Sequence, residues 1–559
     1  MLTRLGPVLA IGLLTVPVAF GLAGTLLPAF GYLPALGGME FGLAPFAMLF
    51  AEPAILMSAL MSLVSGLVTA AISLAVVMLF TAAWGGTRLF ARIQHLISPL
   101  LSVPHAASAF ALAFLIAPSG MIARLISPGL TGWGRPPDLL IVHDPFGLSM
   151  MAGLIVKEIP FLLLVTLAAL PQVKPARTRA LIASMGYGRI SGFVFGLWPS
   201  IYPQIRLPVF AVIAFATSVV DVAAILGPTT PAPLAVRLVN WMNDPDLSMR
   251  FLASAGAVLQ LGVTAAAILI WIGFEKLGAR LRDRLACSGR RLRRDSVLRW
   301  GALAAMLVSA GAIFAGLVAL GLWSVAGLWQ YPDLLPARFD LRNWMRVLPN
   351  LVEPLATTLF VAFISTFVAA VIAILCFVRE DEMGHPPGRG ALALLYLPLL
   401  VPQVAFLFGL QLLFILTGLE ATLAALVFAH LVFVLPYAWL ALKDPWRAFD
   451  RRYDQIAAGL GKGPVPRFFQ IRLPMLARPL LAVAAIGFSV SVGLYLPTVL
   501  IGAGRLTTIT TEAVALASGG NRRVIGIYAF MQMVLPAAGF AVATIVPALI
   551  FRRYRDMHV

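Results

Sequence analysis

Apolar residues run along this chain in blocks long enough to cross about 30 Å of hydrocarbon as helices. Short segments where arginine, aspartate, glycine and proline collect separate them. The blocks lie near 8–30, 55–84, 97–117, 147–170, 205–227, 250–274, 299–323, 354–378, 391–417, 420–442, 478–501 and 525–551. They predict an all-α polytopic membrane protein with twelve transmembrane helices. The first block follows Arg4 and carries small residues at Gly21-Leu22-Ala23-Gly24, the layout of a secretory signal. Its length and the membranous sequence after it argue for an uncleaved first span.

Composition agrees: 60% of the 559 residues are hydrophobic and 11% charged, with a mean hydropathy of +0.95. A water-soluble globular protein is excluded, because most outward side chains must meet hydrocarbon. The charge is lopsided, 41 Lys and Arg against 23 Asp and Glu, net +18. Basicity alone would also fit nucleic-acid binding, so its placement decides. With Arg4 on the cytoplasmic side, about thirty basic residues share that side. The other side holds Arg124, Arg135, Arg237, Arg250, Arg338, Arg342, Arg346, Arg505, Arg522 and Arg523. This roughly three-to-one bias sets both termini in the cytoplasm. The cytoplasmic face then carries about +20 and the outer face about −1, so anionic lipid headgroups account for the basicity and no nucleic-acid partner is needed.

The densest basic run, KLGARLRDRLACSGRRLRRDSVLR from Lys276, marks a cytoplasmic linker over 276–298. It separates six spans in 1–275 from six in 299–559, and the two halves repeat. ALIASMGYGRISGFVFGLWP (180–199) corresponds to QIAAGLGKGPVPRFFQIRLP (455–474): Gly186 precedes Pro199, and Gly461 precedes Pro474, by the same interval. Gly188 and Gly463 follow two residues on, and Ala183, Ala457 and Ala458 lie just upstream. Upstream, SVPHAA (102–107) matches LVPQVA (400–405), and Pro160 matches Pro436. The offset falls from 298 to about 275 across 121–145, so the first half carries an extra external loop there. Small alanines suit a thin helix that sits deep in a partner's groove. Gly186 and Gly461 permit a sharp turn, Pro199 and Pro474 are expected to stop the segment before the next span, and Arg189 and Arg467 are candidate rim contacts.

An alanine-rich turn, a glycine, then a fixed gap to an apolar-x-Leu-Pro ending resembles the "EAA" loop of permease subunits of binding-protein-dependent ABC importers. The second copy carries Ala457, Gly461, Ile471, Leu473 and Pro474. The first keeps Gly186 and Pro199 with Trp198 in place of the leucine, and Ala180 and Gln455 stand where the leading Glu would be. Two such cores in one chain resemble the thiamine and ferric-iron permease group. The resemblance implies a bacterial inner-membrane permease with two copies of a cytoplasmic ATPase subunit on the two loops and a periplasmic solute-binding protein outside. It implies thiamine, a related small cation or ferric iron as solute, with ATP and magnesium confined to the ATPase. None of the five lysines is followed by Ser or Thr, so this chain lacks the phosphate-cradling loop of an ATPase.

Ionisable residues at membrane depth are costly and point to function. Lys157 and Glu158 lie in the fourth span and Asp221 in the fifth. Asp221 is a candidate partner for Lys157, and two roles stand open: an interhelical ion pair or a place on the solute path. His105 and Gln403 follow Pro104 and Pro402 at the same repeat position, as pore-lining or hinge residues or as interhelical hydrogen-bonders. Cys287 and Cys376 form no thiolate cluster, the six histidines show no metal spacing, and no catalytic residues or bound cofactor are expected. The rival readings are a twelve-span secondary transporter driven by an ion gradient, and a polytopic membrane enzyme. The paired loops favour neither.

Overall fold

The computed structural model of the chain describes residues 2–173, 175–289 and 291–550. Lys174, Arg290 and the basic tail 551–559, counted above among the cytoplasmic charges, lie outside them. Among the described residues, fifteen helices supply the long apolar stretches and the segments that break them. The first seven are α1 (Leu2–Ala29), α2 (Ile55–Trp84), α3 (His105–Ile116), α4 (Leu148–Ala169), α5 (Trp198–Thr217), α6 (Asp221–Leu226) and α7 (Met249–Cys287). After the linker come α8 (Ser296–Ser324), α9 (Arg342–Met383), α10 (Arg389–Leu400), α11 (Gln403–Leu416), α12 (Leu423–Ala448), α13 (Ala477–Gly493), α14 (Leu496–Gly502) and α15 (Arg522–Ile550). Among the described residues, ten helical stretches are long and apolar enough to cross a membrane, or twelve if each of two bent pairs counts as one span.

Several expected spans are broken, with physical reasons. The block at 391–417 is α10 and α11, bent by 90° at Val401-Pro402. Pro402 has no N–H to continue a helix and holds Val401 extended, at ψ 127°. Val103 before Pro104 is likewise extended, at ψ 122°, so the 97–117 block is a tight turn at Ser98–Ser102 and then α3. Asp221 does not lie inside a fifth span but opens the separate short helix α6. The expected linker 276–298 narrows to 288–295, because α7 runs on to Cys287 and α8 begins at Ser296. At 39 and 42 residues, α7 and α9 are about 60 Å long and must protrude well beyond the hydrocarbon.

The first helix on each side of the linker packs against the other half. Helix α1 lies against α9 and α11, and α8 lies against α2 and α3. Both crossings use small residues to bring backbones together. A Cβ on Gly409 would sit 2.0 Å from the Gly21 carbonyl oxygen, and one on Gly316 would sit 2.5 Å from that of Ala111. Thr25 Oγ1 accepts the Gly409 amide at 3.1 Å. Within the first half, α2 turns a buried stripe of Ser58, Ser62, Ser65, Thr69 and Ser73 toward its neighbours. Ser65 Oγ donates to the Ala216 carbonyl at 3.2 Å, and Thr217 and Thr264 pair their hydroxyls at 2.9 Å. Such bonds contribute about 0.6 kcal/mol each in a membrane protein.

The first glycine-proline loop meets the end of α2 and the Arg-rich linker, and the second meets the end of α9. Elsewhere Arg124 ties the halves together: Nη1 donates to the carbonyls of Gln330 and Asp333 at 2.8 and 2.7 Å, and its guanidinium stacks over Trp329. Asp144 anchors the start of α4, accepting the Leu148 and Ser149 amides, each at 2.8 Å. Burial opposes its ionised form, yet the bonds from Ser149, Leu148 and the loop amides together hold its pKa below the ordinary carboxylate value.

Candidate functional site

The two glycine-proline loops have the same local conformation. A helix at Pro175–Ser184 ends in a Schellman turn: the Gly186 amide donates to the Ala183 carbonyl and the Tyr187 amide to that of Ile182. A helix at Arg452–Gly459 ends identically, Gly461 donating to Ala458 and Lys462 to Ala457. Gly186 and Gly461 adopt φ +80° and +78°, a left-handed conformation that glycine alone adopts without strain. The alanines therefore serve as acceptors of the turn. Gly188 and Gly463 are extended and precede short helices, Arg189–Gly192 and Pro464–Arg467. Each then widens into one π-helical turn, Phe193–Leu197 and Phe468–Arg472. Pro199 and Pro474 do not stop these segments: each sits in the first turn of the next helix, where its missing N–H costs nothing. Leu473 opens that helix in the second loop.

Both loop helices leave an apolar pair exposed one turn apart, Leu181 with Met185 (62% and 52%) and Ile456 with Leu460 (62% and 78%). Their supports differ. Arg179 and Arg189, the latter expected at the rim, turn inward and donate to the carbonyls of Gly85 and Ala83 at the end of α2. Burial, and then the Arg189 charge, lower the pKa of Arg179. Arg467 stays local, donating to the Gly463 carbonyl. The second loop is pinned to the end of α9 by Arg472, which bridges Asp381 at 2.6 Å and Asp454 at 2.8 Å.

Among the described residues, the linker is bonded to the first loop and not to the second. Gly188 donates to the Arg291 carbonyl at 3.3 Å, Ile190 to Asp295 Oδ2 at 3.2 Å, and Arg293 Nε to the Gly186 carbonyl at 2.9 Å. A Cβ on Gly188 would meet the Leu292 carbonyl oxygen at 2.6 Å, whereas one on Gly461 would meet nothing within 4 Å.

The five polar residues singled out within the spans meet at one cavity of about 270 Å³ between the halves: His105, Lys157, Glu158 and Asp221 from one side, Gln403 from the other. The expected Lys157–Asp221 pair is absent among the described residues. Lys157 lies on α4, and its Nζ donates instead to the Leu100 and Leu101 carbonyls at 3.2 and 3.0 Å, in the irregular backbone before Pro104, where the Leu100 carbonyl also accepts the Val103 amide. Glu158 Oε1 lies 3.0 Å from His105 Nε2.

Sequence reading missed much of the wall. Ala211, Ala214, Phe215 and Ser218 face the cavity from α5 and the turn after it, and Ile486, Ser489, Val490 and Gly493 face it from α13 at identical spacing. Phe161 and Tyr437 line it one residue after Pro160 and Pro436, and Tyr495 lines it beside α14. The repeat offset was the signal that could have found them. Among the described residues, no three of His, Cys, Asp or Glu come together to hold a metal ion.

No protein-family model matches the chain. It is 30% identical over 499 residues to the inner membrane ABC transporter permease protein YnjC of Escherichia coli K12, covering 89% of both chains. It is 22% identical over 195 residues to PhnV of Salmonella typhimurium LT2, a permease protein named for a 2-aminoethylphosphonate transport system, covering 34% of this chain and 74% of that one. It is also 22% identical over 152 residues to the spermidine/putrescine transport system permease protein PotC of Haemophilus influenzae, covering 27% and 59%.

Proposed function

The chain belongs to the ABC transporter permease proteins, and on that premise we propose that it forms the whole translocation path of an ATP-driven importer. In this reading 1–275 and 299–559 are two permease repeats joined by the linker. The basic face is cytoplasmic, with both termini on it. Each loop helix docks in a groove of one of two ATPase subunits, which hold the ATP and magnesium. The opposite face receives a solute-loaded periplasmic binding protein.

The observation that carries this reading is the matched pair of loops. Two helices with the same Schellman turn, π-helical turn and exposed apolar pair have no need of such exposure at the headgroups unless a protein covers them. Closure of the ATPases moves both helices, and the helical segments running from them into α5 and α13 carry the motion to the cavity wall. Transport is then a change of access with no covalent chemistry in this chain.

For the solute, resemblance to the thiamine and ferric-iron group suggests thiamine, a related small cation or ferric iron. Uptake by cells carrying the complete system tests the coupling: Gly461→Val forces a β-branched residue into the left-handed turn, so uptake should fall at least several-fold with the chain still in the membrane. Unchanged uptake would sink the loop's role.

A further inference from the structure

Building on that transport reading, we propose that the cavity binds an organic cation, with the Asp221 carboxylate as its counter-ion and aromatic rings as its walls.

The charges around the cavity are already partly spent. Lys157 is 5% exposed and its ammonium is engaged by two backbone carbonyls. Glu158, 4% exposed, is matched by His105. Asp221 lines the same cavity at 7% exposure, and among the described residues no side chain hydrogen-bonds or ion-pairs with it. Its oxygens have the backbone amides at the start of α6 and the nearby His105 ring as support, but among the described residues no charged side chain paired to it, and a buried carboxylate so placed gains from a positive ligand.

The rest of the wall narrows the class. Phe161, Phe215, Phe433, Tyr437, Tyr495 and Phe540 face the space. Phe215 lies against the His105 ring at 4.4 Å, which places an aromatic face beside the polar cluster. Rings attract weakly hydrated cations with alkylated or delocalised charge, and strip little from tightly hydrated ones. A bare metal ion lacks donors, since no three of His, Cys, Asp and Glu converge among the described residues. An anion such as a phosphonate would meet the Asp221 carboxylate, with the Lys157 ammonium already engaged by two carbonyls. A volume of about 270 Å³ limits the occupant to a small molecule.

The test uses the full chain with its ATPase subunits in lipid nanodiscs, and equilibrium binding of radiolabelled thiamine, choline, spermidine and 2-aminoethylphosphonate. At least one of the three cations should bind and be displaced by excess unlabelled cation, and the phosphonate should not bind. Asp221→Asn should weaken that binding by about tenfold or more, Asp221→Glu should restore most of it, and Phe215→Leu should weaken it about threefold. Binding of the phosphonate, binding of no cation, or equal cation affinity in Asp221→Asn would overturn the proposal. ATPase association is scored on the same samples: its loss from the wild-type chain would refute the importer reading, while the binding data would still judge the cation site. A melting curve for Asp221→Asn matching wild type shows that the fold is intact, and Phe215→Leu gives an independent variant.

Discussion

His105 Nε2 and Glu158 Oε1, on α3 and α4, meet at 3.0 Å on the wall of the cavity. His105 is one-third exposed while Glu158 is buried, so the histidine is what satisfies the carboxylate. His105→Ala should therefore lower stability by about 1–3 kcal/mol, the cost of leaving a buried acceptor unpaired. Glu158→Gln, which keeps a hydrogen-bonding side chain, should cost less. Melting temperatures in detergent give the ranking, and equal losses would show that the pair does not govern stability.

The crossing of α1 and α11 depends on Gly409. With a Cβ there only 2.0 Å from the Gly21 carbonyl oxygen, Gly409→Ala must push the helices apart. A loss of about 1–3 kcal/mol is expected. Gly12 on the same α1 helix has nothing within 4 Å of its Cβ position, so Gly12→Ala should be neutral or slightly stabilising. Thermal unfolding in nanodiscs compares the two.

The two loops should respond differently to one methyl group. Gly188→Ala collides with the Leu292 carbonyl oxygen and should free the linker, so protease cleavage within 288–295 should accelerate. Gly463→Ala, whose Cβ would come no closer than 3.9 Å to a neighbour, should leave the cleavage pattern unchanged. Similar patterns for both variants would contradict the strapping of the first loop by the linker.

Asp144 gives a pH dependence with a definite sign. Its folded pKa lies below the ordinary value of 3.8, so it stabilises the fold above that value and the contribution is lost as pH falls through the folded pKa. Asp144→Asn should be less stable than wild type at pH 7 and should lose less stability on acidification below about pH 4. Melting temperatures on the two pH branches check it.

Much of this arrangement was readable from spacing. Apolar block length located the helices, and the Gly-to-Pro interval marked two loops that share one conformation, because a left-handed turn demands glycine wherever it recurs. Spacing paired Pro104-His105 with Pro402-Gln403 as pore-lining or hinge positions, but the blocks 97–117 and 391–417 read as unbroken spans, and both break there because proline holds the residue before it extended. What spacing could not show was long-range. Lys157 is satisfied by backbone carbonyls, which carry no side-chain signature. The exchange of α1 and α8 between halves, and the docking of 291–295 on the first loop about a hundred residues upstream, follow from tertiary packing alone. The matching faces of α5 and α13 were within reach, had the offset near 275 been followed into the spans.

The central claim is that two exposed loop helices hold the ATPases. Affinity purification of the tagged chain from native membranes, with ABC ATPase peptides quantified by mass spectrometry, tests it through Leu181→Glu and Leu460→Glu, which place charge on the exposed faces. The account predicts ATPase recovered with wild type, reduced in each single variant and lost in the double variant, with the chain still folded. Recovery equal to wild type in the double variant would contradict it.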